Sequence, residues 1–342
     1  MASRRIRALT IAGASLVLAL AAAEAGLRAL RPVAHLEPLD PATLPAGTSL
    51  VHRRSGLPGL NYELVPGAQG TYAGVEVSVN ALGARGPEVQ RVKPPGTFRI
   101  VAVGDSLTFG FGAPQAGTWP AALERQLAPR AAELGARAVE VVNLGVSGYN
   151  AADEAVVVER RALELDPDWI VVGYFLNDPQ RAPLQPIQRI FRDPPPWERL
   201  HLWRLVDAWR FARAKARHGG DGYRMLHARD GAGWAMVQGA LRDMRRASAA
   251  RGVPLLLVTL PAFPPGPDWS AYPWRDLHEQ VLAEARAAGL AAFDVLPAFA
   301  ADGRRPKDLG ADFEHPNPAG AEVIAAGVAA EILRLAGEAR SR

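Results

Sequence analysis

The chain has 342 residues, 49% of them hydrophobic and 22% charged, with a formal charge of +4. This is the balance of a folded globular protein with room for a sizeable core, and it excludes a disordered chain. The positive excess is almost wholly arginine, since lysine stands only at Lys93, Lys215 and Lys307; beside so much alanine it reads as codon bias, and no basic stripe interleaved with aromatics offers nucleic acid a stacking platform. The lack of cysteine excludes disulfides, thiolate metal sites, a cysteine nucleophile and a lipid-modified N-terminal cysteine, while leaving the compartment open.

Arg4, Arg5 and Arg7 precede an apolar run from Ala8 to Ala23 that ends at Glu24, the charge layout of an export signal whose positive end stays in the cytoplasm. At ~1.5 Å per residue the uncharged run is slightly short for a hydrocarbon core of ~30 Å. Continuing the helix through Leu27 to Leu30 lengthens it and sets Glu24 and Arg28 four apart, able to pair at the outer interface. Small-residue sites at Ala21-Ala22-Ala23 and Ala23-Glu24-Ala25 keep a cleaved, secreted form as the alternative. The favoured reading is a single-pass signal anchor over residues 1–30, with the rest on the extracytoplasmic side of the cell membrane. An amphipathic helix packed on the domain is disfavoured, because Ala8 to Ala23 has no polar face.

Residues 31–96 read as a tether followed by a small β extension. Arg31 to Ser55 is proline-punctuated. Tyr72 to Val79 alternates Val75, Val77 and Val79 with Glu76, Ser78 and Asn80, a half-exposed strand closed by a turn at Asn80-Ala81-Leu82-Gly83. An edge ribbon without a role in chemistry is the expectation for this piece.

Next comes a short β-branched run, Ile100 to Val103, which drives into Gly104-Asp105-Ser106-Leu107 and reads as a strand buried on both faces. Trp119 to Leu134 has helical spacing, Val139 to Val142 is a second strand, Ala152 to Leu165 a helix closed by Asp166-Pro167, and Trp169 to Phe175 a third strand. A helix from Trp234 to Arg251 leads to strands at Pro254 to Leu260 and Leu290 to Asp294. Strands alternating with helices of this length imply βαβ units and a parallel sheet with right-handed crossovers.

A helical insertion at about 181–234 interrupts the alternation. Arg181 to Pro196 reads as a proline-rich loop. Trp197 to Arg217 is a predicted helix with Leu202, Leu205, Val206 and Trp209 on one side and Arg204, Arg210, Arg213, Lys215 and Arg217 largely elsewhere. Such a basic amphipathic helix can lie on an anionic membrane or clasp a substrate; the expectation is that its apolar side packs on its own domain while the charges are solvated.

The last loop reads Asp312-Phe313-Glu314-His315-Pro316-Asn317-Pro318, with Asn317 as N-cap and Pro318 as first residue of a closing helix to about Ala336. Ser106, Gly145, Asn177, and Asp312 with His315 thus gather at the carboxyl ends of parallel strands, the edge where open α/β sheets bind ligands. Acyl transfer needs a hydroxyl activated by a base, a group orienting that base, and donors aimed at an oxyanion, and each requirement is met once. Every residue has a structural alternative: Asp105 or Ser106 caps a helix, Gly145 makes a turn, Asn177 caps a helix, and Asp312 pairs with Arg304 or Arg305. Ser147 in Gly145-Val146-Ser147-Gly148 is not a nucleophile elbow, since position 149 is tyrosine where Gly-x-Ser-x-Gly requires glycine. No pair of histidines has helical or hairpin ligand spacing, so a metal site is not expected, and acyl transfer through a serine calls for no cofactor.

In these four islands, within roughly Thr97 to Gly337, the chain resembles the SGNH hydrolases, or GDSL lipases and esterases. Gly104-Asp105-Ser106-Leu107 matches the first block, Gly145 the second, Asn177-Asp178 the third with Phe175 at its glycine position, and Asp312 with His315 the last. The resemblance implies an α/β, flavodoxin-like three-layer sandwich around a central five-stranded parallel sheet over residues 97–338. It implies Ser106 as nucleophile, His315 as general base and then acid, and Asp312 as the group that orients the imidazole. The N–H groups of Ser106 and Gly145 and the amide of Asn177 would form the oxyanion hole. The function expected is a serine esterase acting through an acyl-enzyme on an acyl or acetyl ester of cell-surface carbohydrate or lipid. An O-acyltransferase using the same triad and a non-catalytic carbohydrate-binding assembly subunit are the alternatives.

Overall fold

A computed structural model describes residues 2–30, 32, 37, 39–41, 51–181 and 185–341. In chain order the elements are α1 (Ala2–Leu30), β1 (His52–Arg54), β2 (Tyr62–Leu64), β3 (Gln69–Tyr72), β4 (Val75–Ser78), β5 (Thr97–Gly104), α2 (Ser106–Phe109), α3 (Trp119–Leu127), β6 (Ala138–Asn143), α4 (Ala151–Arg160) and β7 (Trp169–Tyr174). They continue as α5 (Pro186–Phe191), α6 (His201–Arg217), α7 (Gly222–Leu226), α8 (Ala232–Ala250), β8 (Leu255–Thr259), α9 (Arg275–Ala287), β9 (Ala291–Asp294), α10 (Leu296–Asp302), α11 (Pro306–Leu309) and α12 (Pro318–Arg340). The chain divides into two compact units, Met1–Asp40 with Pro183–Met225, and Pro41–Ala182 with Leu226–Arg342.

The larger unit is built on a five-stranded sheet in the order β6-β5-β7-β8-β9, parallel throughout. This is the flavodoxin-like order, in which the chain leaves β5 for β6 on one side and then returns to β7 on the other. Right-handed crossovers put α3 on one face and α4, α8 and α9 on the opposite one. The packing agrees: α3 lies against α12, and α4 against α8. Ile100, Val101, Ala102 and Val103 of β5 are wholly buried, as a central strand covered by helices on both faces requires.

Two predicted helices end sooner than their apolar spacing suggested. The α-helix of α3 stops at Leu127 and passes into a 3₁₀ turn, Ala128–Leu134, because Pro129 has no N–H for the ladder and its ring opposes the preceding turn. The α4 helix ends at Arg160, and a 3₁₀ turn, Ala162–Leu165, carries the chain to Asp166 in the left-handed region at φ 50°. Helices α9, α10 and α11 lie beyond the predicted elements. Within the supposed proline-rich loop, α5 starts at Pro186, a residue favoured in a first helical turn.

The β extension is shorter and better anchored than its alternation implied. The predicted strand from Tyr72 to Val79 shortens to β4, which pairs with the preceding β3 as a hairpin turned at Ala73 (φ 53°) and Gly74 (φ 77°). Past the Asn80–Gly83 turn, the Arg85 N–H reaches the Asn143 carbonyl at 2.9 Å, an antiparallel bridge that covers the end of edge strand β6. Tyr62 Oη donates to Ser147 O at 2.8 Å, and Tyr149 Oη to Tyr62 O at 2.6 Å. Arg85, at the end of this extension, reaches the carbonyls at the end of α2.

In the smaller unit, α1 is one uninterrupted helix of 29 residues, about 43 Å at the usual rise. Arg4–Leu30 is long and apolar enough to cross a membrane by length and composition. Glu24 and Arg28 pair at 2.8 Å. Glu24 also accepts the N–H groups of His201 at 3.0 Å and Leu202 at 2.9 Å, so it caps the first turn of α6 as an anion should. Among the described residues the expected packing of α6's apolar side is not found: Arg204 is the buried residue of this helix, while Leu205, Val206 and Trp209 are exposed. Most of the predicted tether, Arg31 to Ser55, falls outside the described residues.

Candidate active site

Ser106 is the first residue of α2, directly after β5. Asp105 is the N-cap and accepts the Leu107 N–H at 2.8 Å, so strand, cap and helix follow without an intervening loop. Such a turn brings the backbones of β5, β7 and α2 together. A Cβ on Gly104 would lie 2.2 Å from Thr108 Oγ1 and 2.9 Å from the Gly173 carbonyl, and this proximity, not any chemical role, explains the glycine. Ser106 is 1% exposed. At the start of α2 its own N–H has no intrahelical acceptor.

The far end of α2 is clamped. Arg85, buried, donates from Nη1 to the carbonyls of Phe109 at 2.8 Å and Gly110 at 2.6 Å, and from Nη2 to Ala113 O at 2.6 Å. Its guanidinium lies 4.5 Å from the centre of the Phe109 ring. Burial lowers its pKa from the ordinary value to about 10, which leaves it cationic at neutral pH against the carbonyl end of the helix. Asn143 Nδ2 donates to Thr108 O at 2.9 Å. Neither Arg85 nor Asn143 was singled out in the sequence. Asn143 lies two residues before Gly145, a spacing that suits a side-chain turn, whereas nothing separates Arg85 from the other arginines.

His315 comes from the opposite end of the chain. Its loop is pinched by Ala311 N–H on His315 O at 2.8 Å, and Asp312 Oδ1 accepts the N–H groups of Glu314 at 2.8 Å and His315 at 2.7 Å. The Asp-x-x-His spacing is therefore a side-chain turn that brings carboxylate and imidazole together. His315 Nδ1 is 2.8 Å from Asp312 Oδ2, and His315 Nε2 is 3.0 Å from Ser106 Oγ. Asn317 then caps α12 by accepting the N–H groups of Ala319 and Gly320. The alternative partners for Asp312 are engaged elsewhere, Arg304 with Asp302 and Arg305 with Asp308. Partial burial opposes ionisation of Asp312, but the His315 N–H, its imidazole and the Glu314 N–H together hold its pKa below the ordinary carboxylate value. Phe111 tilts over the His315 ring with centroids 4.8 Å apart, a contact no sequence pattern announced.

Asn177 follows β7 at the switch point beside β5 and is half-buried; its Oδ1 has no hydrogen-bond partner among the described residues, and its side chain bonds the Asp105 carboxylate. Gly145 lies two residues past β6, as expected. Its N–H donates to Asn143 Oδ1 at 2.9 Å, and a Cβ there would meet Phe109 N at 2.3 Å. Its glycine identity therefore follows from packing against α2, and its N–H is already engaged.

Beneath Ser106 lie three fully buried carboxyl groups. Burial raises the Asp105 pKa to about 6 against the Leu107 N–H and the nearby His315, which lower it. Burial and mutual repulsion raise Glu154 and Asp178 well above the ordinary carboxylate value. Neither oxygen of Glu154 has a hydrogen-bond partner among the described residues. Asp178 Oδ2 accepts the Phe175 N–H at 2.9 Å, which tightens the turn that carries Asn177. Glu154 lies on the buried stripe of α4 with Ala151, Ala155 and Val158, and an acid on an apolar stripe was the signal available for it.

Comparison with known proteins places these features in context. The family of GDSL-like lipases and acylhydrolases matches residues 102–323. Over 109 residues the chain is 38% identical to the protein named "Probable alginate O-acetylase AlgJ" of Pseudomonas aeruginosa, a match covering 29% of this chain and 26% of that relative. The matched part is thus about a quarter of the relative's length. Among solved structures, Axe2, an acetylxylan esterase from Geobacillus stearothermophilus, is 19% identical, with 71% of this chain and 96% of that one covered and a TM-score of 0.43. LAE5, an alpha/beta hydrolase enzyme from the metagenome of Lake Arreo, Spain, is 21% identical, with 69% and 96% covered and a TM-score of 0.45. With its match running from β5 into α12, and so over Ser106, Asn177, Asp312 and His315, the chain belongs to the GDSL-like lipase/acylhydrolase family.

Proposed function

We propose that this protein is a serine esterase that cleaves an acyl or acetyl ester through a covalent acyl-enzyme. The observation that carries the reading is the continuous chain of contacts from Ser106 Oγ to His315 Nε2 at 3.0 Å and from His315 Nδ1 to Asp312 at 2.8 Å. His315 takes the hydroxyl proton as Ser106 Oγ attacks the ester carbon, and returns it to the departing alcohol oxygen. Water then repeats the sequence on the acyl-serine: His315 removes its proton, the tetrahedral intermediate collapses, and Ser106 leaves reprotonated. Asp312 holds the Nδ1 proton, which fixes the tautomer that presents a basic Nε2 to the serine. The Ser106 N–H and the Asn177 amide are the donors proposed for the oxyanion. Gly145 N–H joins them only by giving up Asn143 Oδ1. Turnover of p-nitrophenyl acetate by the full chain in detergent, lost in Ser106→Ala, is the expected result; equal turnover by both proteins would remove Ser106 from the reaction.

A second reading is O-acyl transfer, favoured by the similarity to a protein named as an alginate O-acetylase. The acyl-serine is the same, and a carbohydrate hydroxyl replaces water as acceptor. Analysis of products in the presence of a polysaccharide acceptor separates the two, since acetyl appearing on sugar hydroxyls marks transfer and free acetate alone marks hydrolysis. The substrate class proposed for either reading is an ester of cell-surface carbohydrate or lipid. In the same proposal α1 anchors the chain once in the cell membrane, positive end inward, with the catalytic unit outside the cytoplasm. Fractionation of tagged protein checks this, and full-length chain in the soluble cytosol would contradict it.

A further inference from the structure

Helix α6 presents an apolar stripe that is largely exposed among the described residues. Leu202, Leu205, Val206 and Trp209 recur at i, i+3, i+4 and i+7, one side of a helix. In an ordinary surface helix this stripe faces the core; here Leu205, Val206 and Trp209 are 40%, 41% and 58% exposed. On the other side Arg204 is buried and its Nε donates to the Glu198 carbonyl at 2.9 Å, while Phe211 is 37% exposed. Farther along the same stripe the apolar residues give way to Arg213. Its guanidinium lies 5.5 Å from the centre of the Trp209 ring, and that of Arg210 lies 5.7 Å from Trp203. Tryptophans with arginines over their faces, beside exposed aliphatics, are the composition of a helix at a bilayer interface.

Placement within the smaller unit argues for the same occupant. Glu24 stands near the end of the candidate membrane span Arg4–Leu30 and caps the first turn of α6. The exposed stripe therefore begins beside the end of the segment proposed to cross the bilayer. We propose that α6 is a second membrane element, lying in the plane of the interface with Leu205, Val206 and Trp209 among the acyl chains and Arg210 and Arg213 on anionic headgroups. The inference rests on the reading of α1 as an anchor. It adds that the residues between β7 and β8 bind lipid directly.

The chain contains no cysteine, so single cysteines can be introduced and labelled with an environment-sensitive fluorophore in full-length protein. Val206→Cys reads the apolar stripe, Asp207→Cys a neighbouring exposed position off it, and Leu18→Cys the anchor. In vesicles containing phosphatidylglycerol, labels at 206 and 18 are expected to be quenched by lipids with brominated acyl chains and shielded from aqueous iodide, with the reverse at 207. Arg213→Ser in the 206-labelled chain is expected to lower the ratio of docked to undocked helix about fivefold, the contribution of one basic residue near an anionic surface. A label at 206 that iodide quenches and bromolipid does not, while the label at 18 is lipid-quenched, overturns the interfacial helix and leaves the anchor standing. Iodide quenching at both positions overturns the anchor and the inference together. Equal bromolipid quenching at 206 and 207 also overturns the proposal, because the helix would then be immersed with no preferred face.

Discussion

Ser106, His315 and Asp312 were legible because each is tied to a short local device. A strand running into Gly-Asp-Ser, and an aspartate three residues before a histidine ahead of a helix cap, leave their geometry in the sequence. Asn177 was legible by its place after a strand, and its contribution can be isolated. Replacing Asn177 with alanine is expected to lower kcat about 10²- to 10³-fold, the usual loss for one oxyanion donor. Its amide also bonds the buried Asp105 carboxylate, so a modest drop in thermal midpoint accompanies the loss of rate, and kcat measured well below that midpoint reports on the oxyanion. Paired measurements of p-nitrophenyl acetate kinetics and thermal unfolding check this, and a variant with wild-type kcat would take Asn177 out of the proposed site. Gly145 shows where such reading stops. Its position in the block was right, but the engagement of its N–H by Asn143 Oδ1 depends on a side-chain turn that many sequences could make or omit.

The element that holds the nucleophile, α2, is only four residues long, too short to be stable by its own hydrogen bonds. It is fixed from outside, at its start by Asp105 and at its end by Arg85 and Asn143. Arg85 satisfies three buried or partly buried carbonyls at once. Removing it leaves acceptors unpaired, at about 1–3 kcal/mol for each one that water cannot reach. Arg85→Ala is therefore expected to lower both stability and kcat with little change in KM. Arg85→Lys should recover only part of each, since an ammonium cannot span the same carbonyls as a planar guanidinium. Denaturant unfolding alongside steady-state kinetics checks both variants; full activity in Arg85→Ala would show that α2 keeps its geometry unaided. This role was invisible in the sequence, because the valine alternation that located β4 says nothing about which loop the following residues reach. Helix α6 is the converse case. Its periodicity was plain, but periodicity identifies an apolar face without saying what covers it.

For the whole molecule, alternating strands and helices sufficed to indicate a parallel α/β sheet, and the strand order then follows from handedness and from where the crossovers reverse. The buried acids were not legible together, since Asp105, Glu154 and Asp178 meet only once three separate crossovers are folded. They give stability an unusual dependence on pH. Burial raises Asp105, and likewise Asp153, from an ordinary value of 3.8 to about 6. Between those values the folded chain binds protons that the unfolded chain releases. Their stabilisation is thus complete below about pH 4 and is lost as pH rises through about 6. Asp312 and His52 act oppositely. The Asp312 pKa is depressed, so its contribution is present above the unfolded value and fades as pH falls through the folded one. Burial lowers His52 from 6.5 to about 3, so its contribution fades as pH falls below 6.5, and this loss offsets part of the gain from the buried acids. The thermal midpoint is expected to rise as pH falls from 8 to 5 and to turn down in stronger acid; a midpoint rising steadily from pH 5 to 8 would contradict this. The central claim is that a serine and a histidine from opposite ends of the chain form one nucleophile. Its most direct test is reaction of the full chain with a fluorophosphonate, followed by peptide mapping. The account requires one adduct, on Ser106, abolished in Ser106→Ala and strongly slowed in His315→Ala. Labelling at another residue, or labelling of Ser106 at an undiminished rate without His315, would contradict it.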